Sequence, residues 1–180
     1  LIENRIEKIL KELEIPNAKF LIKHESLENL NSLGQDSFNF LFSANKGVEP
    51  VLISKAASGG EVSRLVLAIK EILASHKKLP TILFDEIDTG VSGEIANKMG
   101  LLLKSMSLTR QVISITHLPQ IAAKGDHHLY VFKEDDGLKT RSKLKRLNQE
   151  ERIIELAKIL SGKTITDAAL NNAKELILNN

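Results

Sequence analysis

Apolar positions recur along this chain with two different periods, and the changes between them mark its elements. Over residues 1–14, LIENRIEKILKELE, Ile2, Ile6, Ile9 and Leu13 follow spacings of four and three with charged residues between them. That is the seam of a coiled-coil end, and it equally suits an amphipathic helix packed on its own domain, since two heptads do not separate the two. Pro16 stops the helix. Lys19–His24 and Phe38–Ser43 alternate as strands, with a polar stretch containing Gly34 between them.

From Gly60 to about His76 the period becomes helical, with Val62, Leu65, Val66, Ile69, Ile72 and Leu73 on one face, and Pro80 closes the unit. Thr81–Phe84 is a short continuous apolar run ending in two carboxylates, the pattern of a buried parallel strand. A helix over about Ser92–Met106, a second buried strand Gln111–Thr116 and a short helix after Pro119 repeat the alternation. Strands alternating with helices predict an α/β fold with a mostly parallel sheet covered on both faces. The last third changes character: Leu129–Lys133, the turn Asp135-Asp136-Gly137 and Leu138–Leu147 predict a β-hairpin, followed by helices over about Gln149–Leu160 and Ile165–Leu178. No internal repeat or Pro/Gly/Ser-rich linker divides the chain.

Composition narrows the classes without choosing among them. The 180 residues are 42% hydrophobic and 27% charged, as in ordinary globular proteins. Cysteine is absent, which excludes disulfides and thiolate metal sites and fits a reducing cytosol. Runs such as Val112–Ile115 are far shorter than the roughly 20 residues of a bilayer span, so no membrane partner is expected. A net charge of +2 is too mild to imply nucleic-acid binding by itself, so any basic surface must be local.

Four local features carry chemistry. Ser58-Gly59-Gly60-Glu61 stands at the start of a helix, where free N–H groups and the helix dipole favour an anion and glycines let a phosphate approach. Alone, it also reads as a plain N-cap. Asp85 and Glu86 end a buried strand, where one carboxylate can hold Mg²⁺ through water and the other can orient or deprotonate an attacking water. Alone, they also read as two acids opening a turn. Asp88-Thr89-Gly90 follows at once, and His117 ends the next strand, where an imidazole can donate to a phosphate or simply finish the strand. The specific signal is the order of all four.

In that order these features resemble the C-terminal half of an ABC-type ATPase head. The strings FSANKG, SGGEVSRLVLAIK, FDEIDTGVSG and ITHLPQIAA narrow the resemblance to the RecN family of SMC-like DNA repair proteins. It extends from the first helix to the closing NNAKELI, departing at Lys124-Gly125-Asp126, where Ala would be expected before the Asp. The resemblance implies the C-terminal lobe of a P-loop NTPase head over residues 15–180, with the end of a coiled coil at residues 1–14. It implies that Ser58, Gly59, Gly60 and Glu61 form the signature motif and that Asp85 and Glu86 close Walker B. Asp88 would be the D-loop residue that contacts a partner head, and His117 the switch that senses the γ-phosphate.

ATP and Mg²⁺ are the implied cofactors. The implied partners are an N-terminal lobe carrying Walker A, a second head in an ATP-dependent homodimer, and DNA, in a cytoplasmic, nucleoid-associated setting. The chain by itself would be inactive because it lacks Walker A. Ser161-Gly162-Lys163-Thr164 is no substitute: the phosphate loop needs Gly at position 157, which is Ala157, and Gly162 reads instead as a helix C-terminal glycine with Thr164 or Thr166 as the next cap.

Two other readings stand beside this one: the nucleotide-binding domain of a transporter, and a non-catalytic dimerisation or DNA-binding module. The coiled-coil-like start and ITHLPQIAA favour the first reading, and intact Ser58, Asp85, Glu86 and His117 count against a degenerate module. Lys139, Arg141, Lys143 and Lys145 alternate along one predicted strand with Arg146 beside them, a possible DNA contact or a solvated edge guarded by lysines. No aromatic residue interleaves with them along that strand. His127-His128 beside Asp126 lacks a second ligand cluster for a metal.

Overall fold

A computed structural model describes the chain except at residues 33, 57, 136, 138, 163, 179 and 180. Of the sequence expectations, Asp136 in the hairpin turn, Leu138 at the start of its second strand and Lys163 lie outside the described residues. Helix α1 (Ile2–Glu12) runs beside α2 (Gly59–Lys77) and buries Ile6 and Leu10, while Ile2 stays half exposed. The buried stripe thus runs through Leu10 and on to Leu13 and Ile15, because Glu14 takes a left-handed φ of 64° and turns Ile15 back into the core.

β1 (Lys19–Asn31) and β2 (Gly34–Ser43) form a long antiparallel hairpin, to which β3 (Val51–Leu52) adds at β2. Pairing runs from Lys19 opposite Ser43 to Ser26 opposite Asp36, well beyond the two short strands that alternation predicts. The distal half is exposed on both faces, so backbone pairing holds it without an apolar period. Near the core, the open edge of β1 is covered by α1: Phe20 N–H donates to Glu7 Oε1 at 3.1 Å and Ile22 N–H to Glu3 Oε1 at 2.8 Å.

Helix α2 is the hinge between two cores. Leu65, Ala68 and Ile72 face the first, with α1 and the long hairpin, and Leu67 faces the second. The second core lies under β4 (Thr81–Asp85) and β5 (Gln111–Ile115), which pair in parallel around α3 (Gly93–Ser107), and it centres on Phe84 and Met99. The parallel pairing among the described residues is confined to these two strands. It is also covered on one face only: Ile82, Phe84 and Val112 pack inward, while Leu83, Ile113 and Ile115 are 38–50% exposed. Alternation of strand and helix correctly predicts the βαβ unit but says nothing of how many strands flank it.

Pro119 opens α4 (Pro119–Lys124), where its missing N–H costs nothing. The predicted second hairpin is β6 (Leu129–Asp135) with β7 (Thr140–Arg146), antiparallel from Leu129 opposite Arg146. Helices α5 (Gln149–Ser161) and α6 (Asp167–Leu178) pack on α4 around Ala123, Leu156 and Ala173. A capping box of Asn148 and Glu151 starts α5, and Gly162, at a φ of 77°, ends it by donating N–H to Lys158 O at 2.8 Å. Thr166 Oγ1 then accepts from Ala169 N–H, so Gly162 is a helix stop and Thr166 caps the next helix start.

Candidate functional site

The site grows from the start of α2. Ser58 is its extended N-cap residue, yet its hydroxyl makes no capping bond, and the first intrahelical bond runs from Val62 N–H to Ser58 O. The N–H groups of the first turn, Gly59, Gly60 and Glu61, therefore lack intrahelical acceptors. The two glycines differ. A Cβ on Gly59 would meet nothing, whereas one on Gly60 would collide with the carbonyl of Gly90. Gly90, at a φ of 77°, returns the constraint, since its own Cβ would lie 2.9 Å from Gly60 N. The helix start and the Asp88-Thr89-Gly90 turn are thus in direct backbone contact, and Ser63 Oγ joins them by donating to Thr89 O at 3.1 Å.

Arg64 anchors the same turn from behind. It is buried, and its guanidinium donates to Gly60 O at 3.0 Å and to Leu13 O at 2.9 Å, tying the end of α1 to the start of α2. Burial pushes its pKa down from the ordinary arginine value, while Glu61 and Glu14 oppose that shift. An ion pair of Glu14 with Lys98 extends the tie to α3.

The carboxylates follow from a backbone reversal. β4 ends at Asp85, and Glu86 N–H still donates to Ile115 O at 3.1 Å. Glu86 then adopts a φ of 46°, a left-handed conformation uncommon for a residue with a side chain and frequent at functional sites. The reversal leaves Asp85 and Glu86 exposed and sends Ile87 and Asp88 inward. Thr89 closes the turn, its N–H and hydroxyl both donating to Glu86 O.

The Asp88 side chain is fully buried, and its Oδ2 accepts a hydrogen bond from Thr116 Oγ1. The reason is the same reversal, which spends the exposed positions on Asp85 and Glu86. Oδ1 has no partner among the described residues. His117, 69% exposed, brings Nδ1 to 3.9 Å from Asp88 Oδ2. The signature-like start, the Asp turn and the strand-end His therefore form one continuous surface linked by Gly60–Gly90 and Asp88–Thr116. Thr116, Ser63 and Arg64 were not singled out by sequence reasoning, although all three stand inside the quoted strings. Side-chain partners across separate segments have no period to reveal them.

The surface is open. Two clefts among the described residues lie elsewhere, one between α3, α4 and α6 beside Asn97 and Gln120, the other at the far end of the long hairpin beside Asp36. A hydrated cation and a phosphate both fit the exposed carboxylates and the free helix start, but neither would be enclosed by this chain. No cluster of three or more potential metal ligands occurs among the described residues, His127-His128 included.

The basic stripe is largely compensated. Lys143 pairs with Glu134 and Lys145 with Glu151, and Arg146 donates to His127 Nδ1 at 2.7 Å. Pairing also sets Tyr130 opposite Lys145 and Phe132 opposite Lys143, with the two rings stacked on each other at 5.6 Å. Aromatic residues do therefore stand among the cations, supplied by the neighbouring strand.

No family model matches the chain. Among curated proteins, DNA repair protein RecN of Rickettsia typhi is 44% identical over 176 residues, covering 98% of this chain and 32% of that protein. RecN of Vibrio cholerae is 41% identical over 178 residues, with the same 98% and 32% coverage. RecN of Bacillus subtilis is 43% identical over 148 residues, 82% of this chain and 26% of that protein. The chain thus spans about a third of the length of the relatives it matches. Among solved structures, one from work on ATP-driven dimerization and DNA-stimulated activation of SMC ATPases superposes with a TM-score of 0.64 at 26% identity. It covers 91% of this chain and 93% of that one. A SmcHead bound to the C-winged helix domain of ScpA gives 0.63 at 27% identity, covering 83% and 43%. Both share the fold of this chain over the parts covered.

Proposed function

This chain belongs to the RecN family with the fold of the C-terminal lobe of an SMC-like ATPase head, and from that premise we propose that it supplies half of a shared ATP site in DNA repair. The observation that carries the reading is the joined surface of helix start, Asp turn and strand-end His, with the Ser58 hydroxyl, the open Gly59 and the free N–H groups at one end and exposed carboxylates at the other.

In this reading Ser58, Gly59 and Gly60 hold a phosphate of ATP seated on the Walker A loop of another head, with Arg64 bracing Gly60 O behind them. Asp85 takes hydrated Mg²⁺, and Glu86 orients and deprotonates the attacking water. Bound Mg²⁺ neutralises charge that develops on the phosphates. Asp88 shapes the turn that meets the partner head, and His117 donates to the terminal phosphate. Two heads close on nucleotide held between them and separate after hydrolysis. An N-terminal lobe with Walker A completes each head, residues 1–14 continue into a coiled coil, and the assembly works on DNA in the cytoplasm. Relatives named for DNA repair and a neighbour described by ATP-driven dimerization and DNA-stimulated activation support this reading.

The test is Glu86→Gln in the whole protein. Hydrolysis is expected to fall by about a hundredfold or more while ATP-bound dimers persist longer. Undiminished turnover would remove Glu86 from the chemistry.

A further inference from the structure

Thr116 stands at a junction that the functional reading does not use. Its hydroxyl donates to Asp88 Oδ2 and at the same time accepts Leu118 N–H at 3.0 Å. Both of its hydrogen-bonding roles are thus spent across His117, one on the buried Asp turn and one on the chain just beyond the ring. The backbone of His117 is thereby gripped on either side, although its ring is 69% exposed.

The carboxylate on the other side of the ring is equally constrained. Asp88 is buried with Oδ2 held by Thr116 and Oδ1 without a partner among the described residues, an arrangement that carries a desolvation cost. His117 Nδ1 lies 3.9 Å from Oδ2, the oxygen that Thr116 already holds, which is longer than a hydrogen bond and within ion-pair range. Rotation about the side-chain torsions of His117 is the motion that would close that gap.

We propose that Thr116 is a positioning residue that aims the Asp88 carboxylate at His117 Nδ1, so that the imidazole presents Nε2 to the incoming phosphate. The inference rests on the ATPase reading for what Nε2 meets, but the orientation itself is a property of this chain alone. A carboxylate that takes one ring N–H fixes both the tautomer and the direction of the other nitrogen. Exposure of the ring is then consistent with a single presented edge, since the tether acts at Nδ1 only.

The substitutions are Thr116→Val, which keeps the shape and removes the hydroxyl, and Thr116→Ser, which keeps the hydroxyl. In full-length protein labelled with nitrogen-15 at histidine, and assigned with His117→Gln, the His117 proton is expected on Nδ1 in the parent and in Thr116→Ser. It is expected to move to Nε2 in Thr116→Val. In the same proteins, kcat for ATP should fall about tenfold or more in Thr116→Val with KM changed less than about twofold, and Thr116→Ser should restore it. Unchanged His117 resonances in Thr116→Val, or equal losses in Val and Ser, would overturn the proposal. Should Thr116→Val not fold, Asp88→Leu carries the same test, because it keeps the approximate size and removes both oxygens that can accept the ring N–H; an unchanged Nδ1 proton there would also overturn it. The expected nitrogen shifts in a parent without ATP turnover would sustain the positioning role and overturn the functional reading instead.

Discussion

The two glycines of the signature-like stretch do different work. Gly60 is required by the protein itself, since any Cβ there drives into the Gly90 carbonyl. Gly60→Ala is expected to cost about 1–3 kcal/mol as the α2 start and the Asp turn are forced apart. Gly59→Ala meets no atom and lies at a helix start, so stability should change by less than about 0.5 kcal/mol. If Gly59 serves a phosphate, Gly59→Ala nevertheless weakens ATP-dependent dimers. Denaturant unfolding beside dimer assays separates the two roles, and a Gly60→Ala protein as stable as its parent would contradict the packing argument. The string SGGE reveals a helix start and an anion-friendly turn. It cannot reveal which glycine faces backbone and which faces open space, because that depends on residue 90, thirty positions away.

Elements were legible in proportion to how much of each is buried. The βαβ unit around Phe84 and the closing helices follow from apolar periods that the cores enforce. The distal halves of β1 and β2 escaped notice because no core selects their side chains. The second hairpin was legible as a hairpin, but its charge balance was not, since Glu134 and Glu151 reach the stripe from another strand and another helix. Replacing Lys143 and Lys145 with Ala is therefore expected to leave the salt slope of DNA binding by the whole protein unchanged. A slope lower by about two would make this hairpin a phosphate contact. At the start of β6, burial first and Arg152 second depress the pKa of His128 below the ordinary imidazole value. The folded form therefore binds fewer protons than the unfolded one. Its stability contribution is complete above about pH 6.5 and declines as pH falls below that value. Thermal melting should show this acid sensitivity, and His128→Gln should flatten it; identical pH profiles would show that His128 does not cause it.

At the scale of the molecule, the uncovered faces are the notable feature. Leu83, Ile113 and Ile115 on the parallel pair and Leu129, Val131 and Leu144 on the second hairpin are all at least 38% exposed. Apolar sheet faces of this kind mark surfaces that pack against something else. The isolated chain is expected to self-associate in sedimentation experiments, and a segment carrying the proposed N-terminal lobe should suppress this; a stable monomer indifferent to that segment would contradict the half-head reading. Sequence alone could place the motifs in order but could not show this bare face, because a strand destined for burial reads the same whichever chain segment covers it. The most direct measurement is ATP hydrolysis by this chain alone and after mixing with a segment of the protein that carries Walker A, with Glu86→Gln as the control. Turnover only in the wild-type mixture is the predicted result, and equal turnover by the isolated chain would contradict a site shared between lobes.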